Sequence, residues 1–250
     1  MTTDRCQTLR SLHVPGRPLL LPNAWDAASA RAVAAAGFPA VATTSSGVAA
    51  SLGYEDHQGA PAEQMLAAAA RIARVVDVPV TVDAEAGYGL EPAELVAELE
   101  RVGAAGCNLE ETDHAAGALR DPGEQAAWFR RVREAASAAG YGLVINARID
   151  VFLSPDPTVP QGELVPDALA RGRAYLEAGA DCVYPIGLWE GDALRTFVEN
   201  AGGPVNALAL PKAPPVGELA AIGVARVSWG GLLHRQLLDQ LGSALQELDS

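Results

Sequence analysis

The chain has 250 residues, of which 49% are hydrophobic, and its formal net charge is −13. This size and apolar content suffice for one domain with a large core, and about 250 residues is the usual length of a (β/α)8 barrel. Only 18 Lys and Arg residues oppose 31 Asp and Glu residues, which excludes the basic surface of a nucleic-acid-binding protein and means that an anionic ligand needs a local cation.

Residues 1–10 contain no apolar core of a signal peptide, and no apolar run elsewhere is long enough to span a membrane. We therefore predict a cytoplasmic protein without a membrane partner. The cysteines Cys6, Cys107 and Cys182 have no paired spacing, and the last two lie in apolar runs. This pattern predicts inert thiols in the core.

Four segments share a pattern in which a helical run is followed by Gly and then by a short apolar strand. They are Ala35-Ala36-Gly37-Phe38, Ala104-Ala105-Gly106, Glu177-Ala178-Gly179 and Ala221-Ile222-Gly223. Gly closes a helix in the left-handed conformation that other residues resist. The repetition predicts alternating strands and helices.

Filling the gaps gives eight βα units in one domain over residues 1–250. Strands are predicted at 19–21, 40–43, 80–82, 107–109, 142–146, 182–184, 205–207 and 226–228. Helices are predicted at 26–36, 61–75, 92–104, 122–139, 164–178, 191–201, 215–222 and 231–248. The strands are short and apolar, as buried parallel strands are, and segment 21–25 lacks the Gly-rich loop of a doubly wound sheet. We therefore predict an α/β fold of the (β/α)8 TIM-barrel type.

Polar residues follow several predicted strands at their C-terminal ends, where the loops of this fold form the active site. The candidates, in chain order, are Asn23, Trp25, Asp26, Thr44, Ser45, Ser46, Gly47, Asp83, Glu85, Glu110, Glu111, Arg148 and Asp150, together with Asn206 within the seventh strand.

Three of these residues predict a metal site. Asp83 and Glu85 are two residues apart, so their side chains would share one side of an extended segment, and Glu110 comes from the next strand. Three neighbouring carboxylates repel one another unless they are protonated or bridged by a cation. Oxygen ligands without His or Cys favour Mg²⁺, or Mn²⁺, over zinc. Glu85 or Glu111 could instead favour the start of a helix.

Arg148 follows an apolar run and needs an anionic partner. That partner could be Asp150, a carboxylate of the site, or the carboxylate or developing oxyanion of a substrate. The Ser45-Ser46-Gly47 backbone could cradle a carboxylate, whereas Asp26 is expected to cap the first helix. His57 and His114 lie in loops, where each could be an acid–base group or simply solvated.

The ordered set of segments at these positions resembles the isocitrate lyase/phosphoenolpyruvate mutase superfamily. The segments are Thr44-Ser45-Ser46-Gly47, Leu52-Gly53-Tyr54-Glu55-Asp56, Val82-Asp83-Ala84-Glu85-Ala86-Gly87-Tyr88-Gly89, Leu109-Glu110-Glu111 and Asn146-Ala147-Arg148-Ile149-Asp150. The resemblance spans residues 22–231.

The resemblance implies a barrel that binds Mg²⁺ and a 2-oxo acid or its enol form. It implies that Asp83 ligates the metal while Glu85 and Glu110 hold metal-bound waters. Substrate would then contact Ser46, Gly47, Val48 and Arg148, with Asp56 beside the reacting group. Ser45, Trp25 and Asn206 complete the substrate-binding candidates.

The resemblance also implies homodimers or homotetramers that exchange their last helix. The sequence ends soon after the predicted eighth helix, so we expect it to lack additional helices for that exchange.

The loop after the fourth strand departs from both branches of the superfamily. The lyase branch carries Lys-Lys-Cys-Gly-His there, with Cys as proton donor, and the mutase branch carries a Lys and an Asn, with a His after strand six. This chain has Thr112-Asp113-His114-Ala115-Ala116-Gly117-Ala118-Leu119-Arg120 and, after strand six, Tyr184-Pro185-Ile186-Gly187. We therefore do not expect isocitrate or methylisocitrate cleavage, or true phosphonate mutase activity.

The features that remain predict a Mg²⁺-dependent enzyme that cleaves a C–C or P–C bond of a small 2-oxo acid through a pyruvate enolate. Oxaloacetate decarboxylation or hydrolysis and phosphonopyruvate hydrolysis are examples, with Asp56 or His114 handling the proton or positioning water. Two alternatives stay open: a mutase acting on carboxyphosphonoenolpyruvate-type phosphonates, and a catalytically degenerate protein that binds a 2-oxo acid.

Overall fold

A computed structural model describes residues 2–153, 156 and 158–248. Eight parallel strand positions run through the described residues. They are β1 (Leu19–Leu21 and Asn23–Ala24), β2 (Val41–Thr43), β3 (Val80–Asp83), β4 (Gly106–Glu110), β5 (Val144–Ile149), β6 (Cys182–Pro185), β7 (Asn206–Leu208) and β8 (Arg226–Ser228).

The strands close into a barrel because both ends of the strand order meet. The first part of β1 pairs with β8 and its second part pairs with β2, on either side of Pro22, which has no N–H to donate. Strands β2 to β6 pair in sequence order, and β7 pairs with β8. A bridge between Val183 and Val205 joins β6 to the segment that enters β7. The predicted (β/α)8 barrel is confirmed.

Helices cover the outside of the barrel. They are α1 (Thr2–Ser11), α2 (Ala27–Ala35), α3 (Ser45–Leu52), α4 (Ala62–Arg74), α5 (Pro92–Arg101), α6 (Pro122–Ala138), α7 (Gln161–Glu177), α8 (Gly191–Asn200), α9 (Val216–Ile222) and α10 (Leu232–Glu247). The main core lies between these helices and the barrel wall and includes Phe129, Tyr175 and Phe197. None of the described helices is long and apolar enough to cross a membrane.

Three features differ from the sequence prediction. Helices α1 and α3 were not predicted, and α3 lies between the second predicted strand (40–43) and the predicted helix at 61–75. Strand β5 extends to Ile149, so Arg148 lies within it. Gly106 does not close a helix: Gly103 does, with φ +80°, while a Cβ at Gly106 would lie 2.7 Å from the carbonyl oxygen of Val144. Gly106 therefore permits close packing of β4 against β5.

The three cysteines are buried and form no disulfide. Burial raises the pKa of Cys6 to about 11 and the pKa values of Cys107 and Cys182 to about 12. A thiol with so high a pKa is a poor nucleophile. This agrees with the predicted inert core thiols.

Candidate active site

A cavity of about 220 Å³ opens at the C-terminal ends of the strands. This is the end at which (β/α)8 enzymes place their catalytic residues. Its polar and charged lining comprises Asn23, Thr44, Ser45, Ser46, Asp56, His57, Asp83, Asn108, Arg148, Tyr184, Ser228 and Arg235. A wider cavity of about 600 Å³ shares His57, Arg148 and Leu153 with it and also contacts His114.

Asp83 is the last residue of β3 and lies on the wall of the smaller cavity. Its Oδ2 accepts a hydrogen bond from the Ser45 backbone N–H at 3.0 Å, whereas its buried Oδ1 has no hydrogen-bond partner among the described residues. Burial, together with the negative charge of Glu110, raises the pKa of Asp83 to about 6. A buried carboxylate oxygen without a partner is suited to a cation or an ordered water.

Glu85 does not extend β3, contrary to the prediction that it would follow Asp83 in an extended segment. Its φ of +48° turns the chain into the left-handed region, and its carboxylate accepts a hydrogen bond from the Gln58 backbone N–H. Burial, and then the charges of Asp83 and Asp56, raise the pKa of Glu85 to about 7. The carboxylates of Asp83 and Glu85 therefore interact electrostatically, although the two residues do not lie on one regular strand.

Glu110 ends β4 and has two cationic neighbours. His114 Nε2 lies 2.5 Å from its Oε1, and Arg148 forms an ion pair with its Oε2. Burial alone would raise the pKa of Glu110, but the hydrogen bond from His114 and the charge of Arg148 outweigh burial and lower it. Glu110 thus stays ionised through contacts within the protein.

These carboxylates fit Mg²⁺ held by few direct protein ligands. No group of three or more His, Cys, Asp or Glu side chains among the described residues is placed to hold one metal ion directly. Mg²⁺ keeps several waters and is usually bound through one or two carboxylates, whereas structural zinc needs four protein ligands. Asp83 Oδ1, which has no partner among the described residues, suits a direct ligand, whereas the Glu85 and Glu110 carboxylates already have partners within the protein.

Arg148 is buried and contacts two carboxylates of the protein. Its Nε donates to Asp150 Oδ1 at 2.6 Å, and it also pairs with Glu110. Asp150 is held in turn by the Thr112 hydroxyl. Two of the partners considered for Arg148, Asp150 and a carboxylate of the site, are therefore present, and Arg148 also lines the cavity.

Segment 45–48 begins α3, and its members face different surroundings. Ser45 and Ser46 line the cavity, and the first-turn N–H groups of α3 have no acceptor within the helix. Gly47 packs against Thr44 and Trp25, because a Cβ there would lie 2.8 Å from the Thr44 methyl carbon. The Val48 side chain is buried in a small apolar cluster with Met65. Gly47 and Val48 could therefore bind a ligand only through their backbone groups.

Three acid–base candidates differ in their placement. Asp56 lines the smaller cavity, and its buried Oδ1 has no partner among the described residues. His57 lies at the junction of both cavities, with its ring 5.2 Å from that of His114. Of these two cavities His114 lines the wider one, and its hydrogen bond to Glu110 raises its pKa. Asp56 and His57 therefore line the same cavity as Asp83.

Besides Gly47 and Val48, two further substrate-binding candidates lie outside the cavity lining. The Trp25 ring packs edge-on against His234 with centroids 4.9 Å apart and lines a groove between α2 and α10. Asn206 is fully buried in the barrel and donates to the Ser228 hydroxyl at 3.2 Å. Asp26 caps α2 as expected, with its carboxylate accepting from the Ser29 backbone N–H.

Backbone strain concentrates around this site. The non-glycine residues with positive φ in the described part of the chain are His57, Gln58, Glu85 and Tyr88. All four lie in the loops that follow β2 and β3. Such residues cost about 1 kcal/mol or more each and cluster at functional sites.

Sequence reasoning missed Asn108 and Arg235. Asn108 lies within β4, and its Oδ1 accepts from Asn146 Nδ2 and from Arg226 Nη2, both at 2.9 Å. These two donors orient the Asn108 amide so that its own NH₂ group remains for the cavity. Asn108 could have been identified because it is a polar residue inside the apolar segment 107–109. Arg235 lies beyond the end of the last strand, and no feature of the sequence indicated that it lines the cavity.

The chain is similar to proteins of one family. A family model described as phosphoenolpyruvate phosphomutase matches residues 9–249. An uncharacterized protein of Mycobacterium tuberculosis is 34% identical over 225 residues, covering 90% of this chain and 82% of the relative. The 2-methylisocitrate lyase of Salmonella typhimurium is 30% identical over 216 residues, covering 79% of this chain and 70% of the lyase.

A solved structure agrees over almost the whole length. The crystal structure of a candidate phosphonomutase from Burkholderia cenocepacia J2315 superposes with a TM-score of 0.94 at 41% identity, covering 99% of each chain. The likeness therefore includes the strand ends and loops that form the cavity.

Proposed function

The chain belongs to the isocitrate lyase/phosphoenolpyruvate mutase superfamily of lyases and mutases, and on that premise we propose that it is a Mg²⁺-dependent enzyme that cleaves a C–C or P–C bond of a small 2-oxo acid. The observation that carries the proposal is a pair of buried oxygens, Asp83 Oδ1 and Asp56 Oδ1, which have no hydrogen-bond partner among the described residues and belong to two residues that line one cavity. Oxaloacetate and phosphonopyruvate are the model substrates.

In this proposal Asp83 holds Mg²⁺ directly, and Glu85 and Glu110 orient its waters. Mn²⁺ would occupy the same site. When bound, the ion supplies a Lewis acid for the oxygens of the 2-oxo acid, an effect of several kcal/mol. It also supplies positive charge at a site whose carboxylates would otherwise repel an anion.

The chain's own groups bind and orient the substrate. The free N–H groups in the first turn of α3, near Ser46 and Gly47, donate hydrogen bonds to its carboxylate. Arg148 is held by Asp150 and Glu110 in one orientation, so its charge stabilises the oxyanion that develops as the bond to C3 breaks. Because the Arg148 guanidinium already has this orientation, it does not need to reorient during the reaction.

Asp56 is proposed to move the proton or to position water. Its unpartnered Oδ1 faces the cavity that also contains Asp83 and Arg148. His114 has a different role in this arrangement, since its ring is bonded to Glu110 and lies beside the wider cavity. The cytoplasmic location expected from the sequence stays a prediction.

A substrate panel tests the proposed activity. With Mg²⁺ present we expect pyruvate from phosphonopyruvate hydrolysis or oxaloacetate decarboxylation, and oxalate with acetate if oxaloacetate is hydrolysed. Turnover should stop when EDTA removes the metal and return when Mg²⁺ is added in excess. Pyruvate release is followed by a coupled assay, and phosphorus NMR distinguishes hydrolysis, which releases inorganic phosphate, from a mutase, which would move phosphorus between carbon and the enol oxygen of one molecule and release none. Metal-independent turnover, or no turnover of any C3–C5 2-oxo acid or phosphonate, would contradict it. Mg²⁺-dependent binding without turnover would instead favour the degenerate binding protein.

We propose further that a second copy of the chain covers α10. Of the described residues of α10 only His234 is buried, and leucines on this helix and just beyond it are about half exposed or more: Leu237, Leu238, Leu241, Leu245 and Leu248. Helical spacing of this kind forms an apolar stripe that monomers rarely leave exposed. Leu237 also lines a groove of about 490 Å³ beside α2.

Sedimentation analysis tests this association. Replacing Leu241 and Leu245 by Glu is expected to shift a dimer or larger oligomer to monomer, because burying unpaired charges in an apolar interface is strongly unfavourable. Gln246→Glu on the same helix is the matched control and should leave the oligomer intact. A wild-type monomer at micromolar concentration would refute the proposal.

A further inference from the structure

Arg226 is a fully buried arginine in the interior of the barrel. It lies on β8, and its Nη2 donates to Asn108 Oδ1 on β4 at 2.9 Å. Strands β4 and β8 are four positions apart in the closed barrel, so the guanidinium crosses the interior. Ser228, two residues further along β8, lines the cavity, and Arg226 therefore lies below the cavity floor. Its Nε and Nη1 have no hydrogen-bond partner among the described residues.

Stability does not account for an arginine at this position. Arg226 forms no ion pair with any described Asp or Glu. Burying an unpaired charge is strongly unfavourable, and an apolar side chain of similar volume often stabilises a protein more than a buried charge does. Burial lowers the pKa of Arg226, and the charge of Asp83 is among the effects that oppose this lowering. The guanidinium is therefore within electrostatic range of the candidate active site.

The contact with Arg226 determines which end of the Asn108 amide faces the barrel interior. A guanidinium can only donate hydrogen bonds, so the amide atom beside it must be the oxygen. Asn146 does not fix this choice, because its own amide contains both a donor and an acceptor. Its Nδ2 donates to Asn108 Oδ1 at 2.9 Å, and its Oδ1 is buried without a described partner. Without Arg226, both amides could turn together and stay hydrogen-bonded to each other.

The Asn108 Nδ2 group is consequently left on the side of the cavity. Asn108 lines the cavity, and its described hydrogen bonds both go to Oδ1. Asn108 is also the register partner of Asp83 across β3 and β4. Side chains of paired residues on neighbouring strands lie on the same face of a sheet. The amide N–H groups therefore lie beside the carboxylate that we propose as the metal ligand.

We propose that Arg226 is a positioning residue that keeps Asn108 as a hydrogen-bond donor to an oxygen of the bound 2-oxo acid. This inference rests on the proposed function and extends it to a residue outside the cavity lining. The keto and carboxylate oxygens of an ionised 2-oxo acid are acceptors. An Asn108 amide turned the other way would place its own oxygen against them and repel the substrate. Arg226 itself does not touch the substrate and acts through Asn108.

Hydrogen exchange of the Asn108 amide protons tests the orientation in the ligand-free protein. Their NMR signal is assigned by its loss in Asn108→Ala. In the wild type these protons face the cavity, and we expect them to exchange rapidly with water. In Arg226→Met the amide is expected to turn so that Nδ2 donates to Asn146 Oδ1, and the rapid exchange should be lost. Arg226→Lys keeps a cationic donor and should retain the rapid exchange.

Steady-state kinetics test the effect on the substrate. With Mg²⁺ and oxaloacetate or phosphonopyruvate, Asn108→Ala and Arg226→Met should each lower kcat/KM roughly tenfold, the usual effect of one hydrogen bond. Combining both substitutions should cause no loss beyond that of Asn108→Ala, because Arg226 acts through Asn108. Arg226→Lys should recover part of the activity. Arg71→Met, an exposed substitution on α4 that removes an equal charge, should leave kcat/KM unchanged.

Three results would overturn the inference. They are rapid exchange that persists in Arg226→Met, turnover that this variant leaves unchanged, and losses that multiply in the double variant, since these would show that Arg226 acts independently of Asn108. If Arg226→Met does not fold, the partial loss in Arg226→Lys decides instead, and it should disappear in the Asn108→Ala background. A wild type that neither binds nor turns over any 2-oxo acid with Mg²⁺ would refute the proposed function and this inference together. An active wild type with an unaffected Arg226→Met would refute this inference alone.

Discussion

Replacing Asp83 by Asn is expected to lower Mg²⁺-dependent turnover at least about 10³-fold, because the ion supplies several kcal/mol and each 1.4 kcal/mol is a factor of ten. Asp83 Oδ1 is a buried carboxylate oxygen with no hydrogen-bond partner among the described residues, and Asp83 ends β3 on the cavity wall, so this oxygen is suited to a direct metal contact. Asn keeps the shape of the side chain and can still accept the hydrogen bond that Ser45 N–H gives to Oδ2. Steady-state kinetics with varied Mg²⁺ measures the change.

The same variant should stabilise the metal-free protein at pH 8. The pKa of Asp83 is raised to about 6 in the folded chain from an ordinary value of 3.8. A raised carboxyl pKa contributes stability that is complete below pH 3.8 and is lost as the pH rises through about 6. At pH 8 the wild type carries the full penalty, and Asn removes about 1–3 kcal/mol of it.

Chemical unfolding in EDTA at several pH values checks this second part. The advantage of Asp83→Asn should shrink as the pH falls from 8 towards 4, and added Mg²⁺ should stabilise the wild type but not the variant. Retained Mg²⁺-dependent turnover would remove Asp83 from the metal site. A variant that unfolds at pH 8 would show that Asp83 has a structural role.

Replacing Glu111 by Ala is expected to lower the free energy of unfolding by about 3–5 kcal/mol, the usual effect of removing one member of a buried ion pair. Glu111 is fully buried and joins β4 to the elements beside it. Its carboxylate accepts from the Asp150 backbone N–H at 3.0 Å, from Arg171 Nη1 at 3.0 Å and from the Tyr175 hydroxyl. The substitution leaves the Arg171 guanidinium without its buried partner.

Urea unfolding measures this effect, with Glu134→Ala on α6 as the exposed control. That control should change the free energy of unfolding by less than about 0.5 kcal/mol. Where Glu111→Ala stays folded, its affinity for Mg²⁺ should match that of the wild type. Stability unchanged in Glu111→Ala, or a selective loss of metal binding, would assign Glu111 to the metal site.

Glu110 and Glu111 are neighbours in the sequence, but the sequence does not indicate which contacts each side chain makes. Both follow the apolar part of one strand, and either could have faced the cavity. The structure brings Glu110 to Arg148 and His114, and places Glu111 against Arg171 on α7, sixty residues along the chain. Contacts over such separations depend on how the helices pack, which no local pattern encodes.

The sequence by itself determined the alternation of strands and helices, because buried parallel strands and helix-closing glycines leave a strong local pattern. It also determined that acidic residues and Arg148 gather at one end of the barrel, since parallel strands end on the same side. Only the tertiary structure decided which oxygens stay unpartnered, that Glu85 leaves the strand at a left-handed φ, and that Arg235 reaches the cavity across Gly231. These features depend on contacts between loops and helices that are distant in the chain. Several local conformations have similar energies there, and packing and close backbone contacts determine which one is adopted.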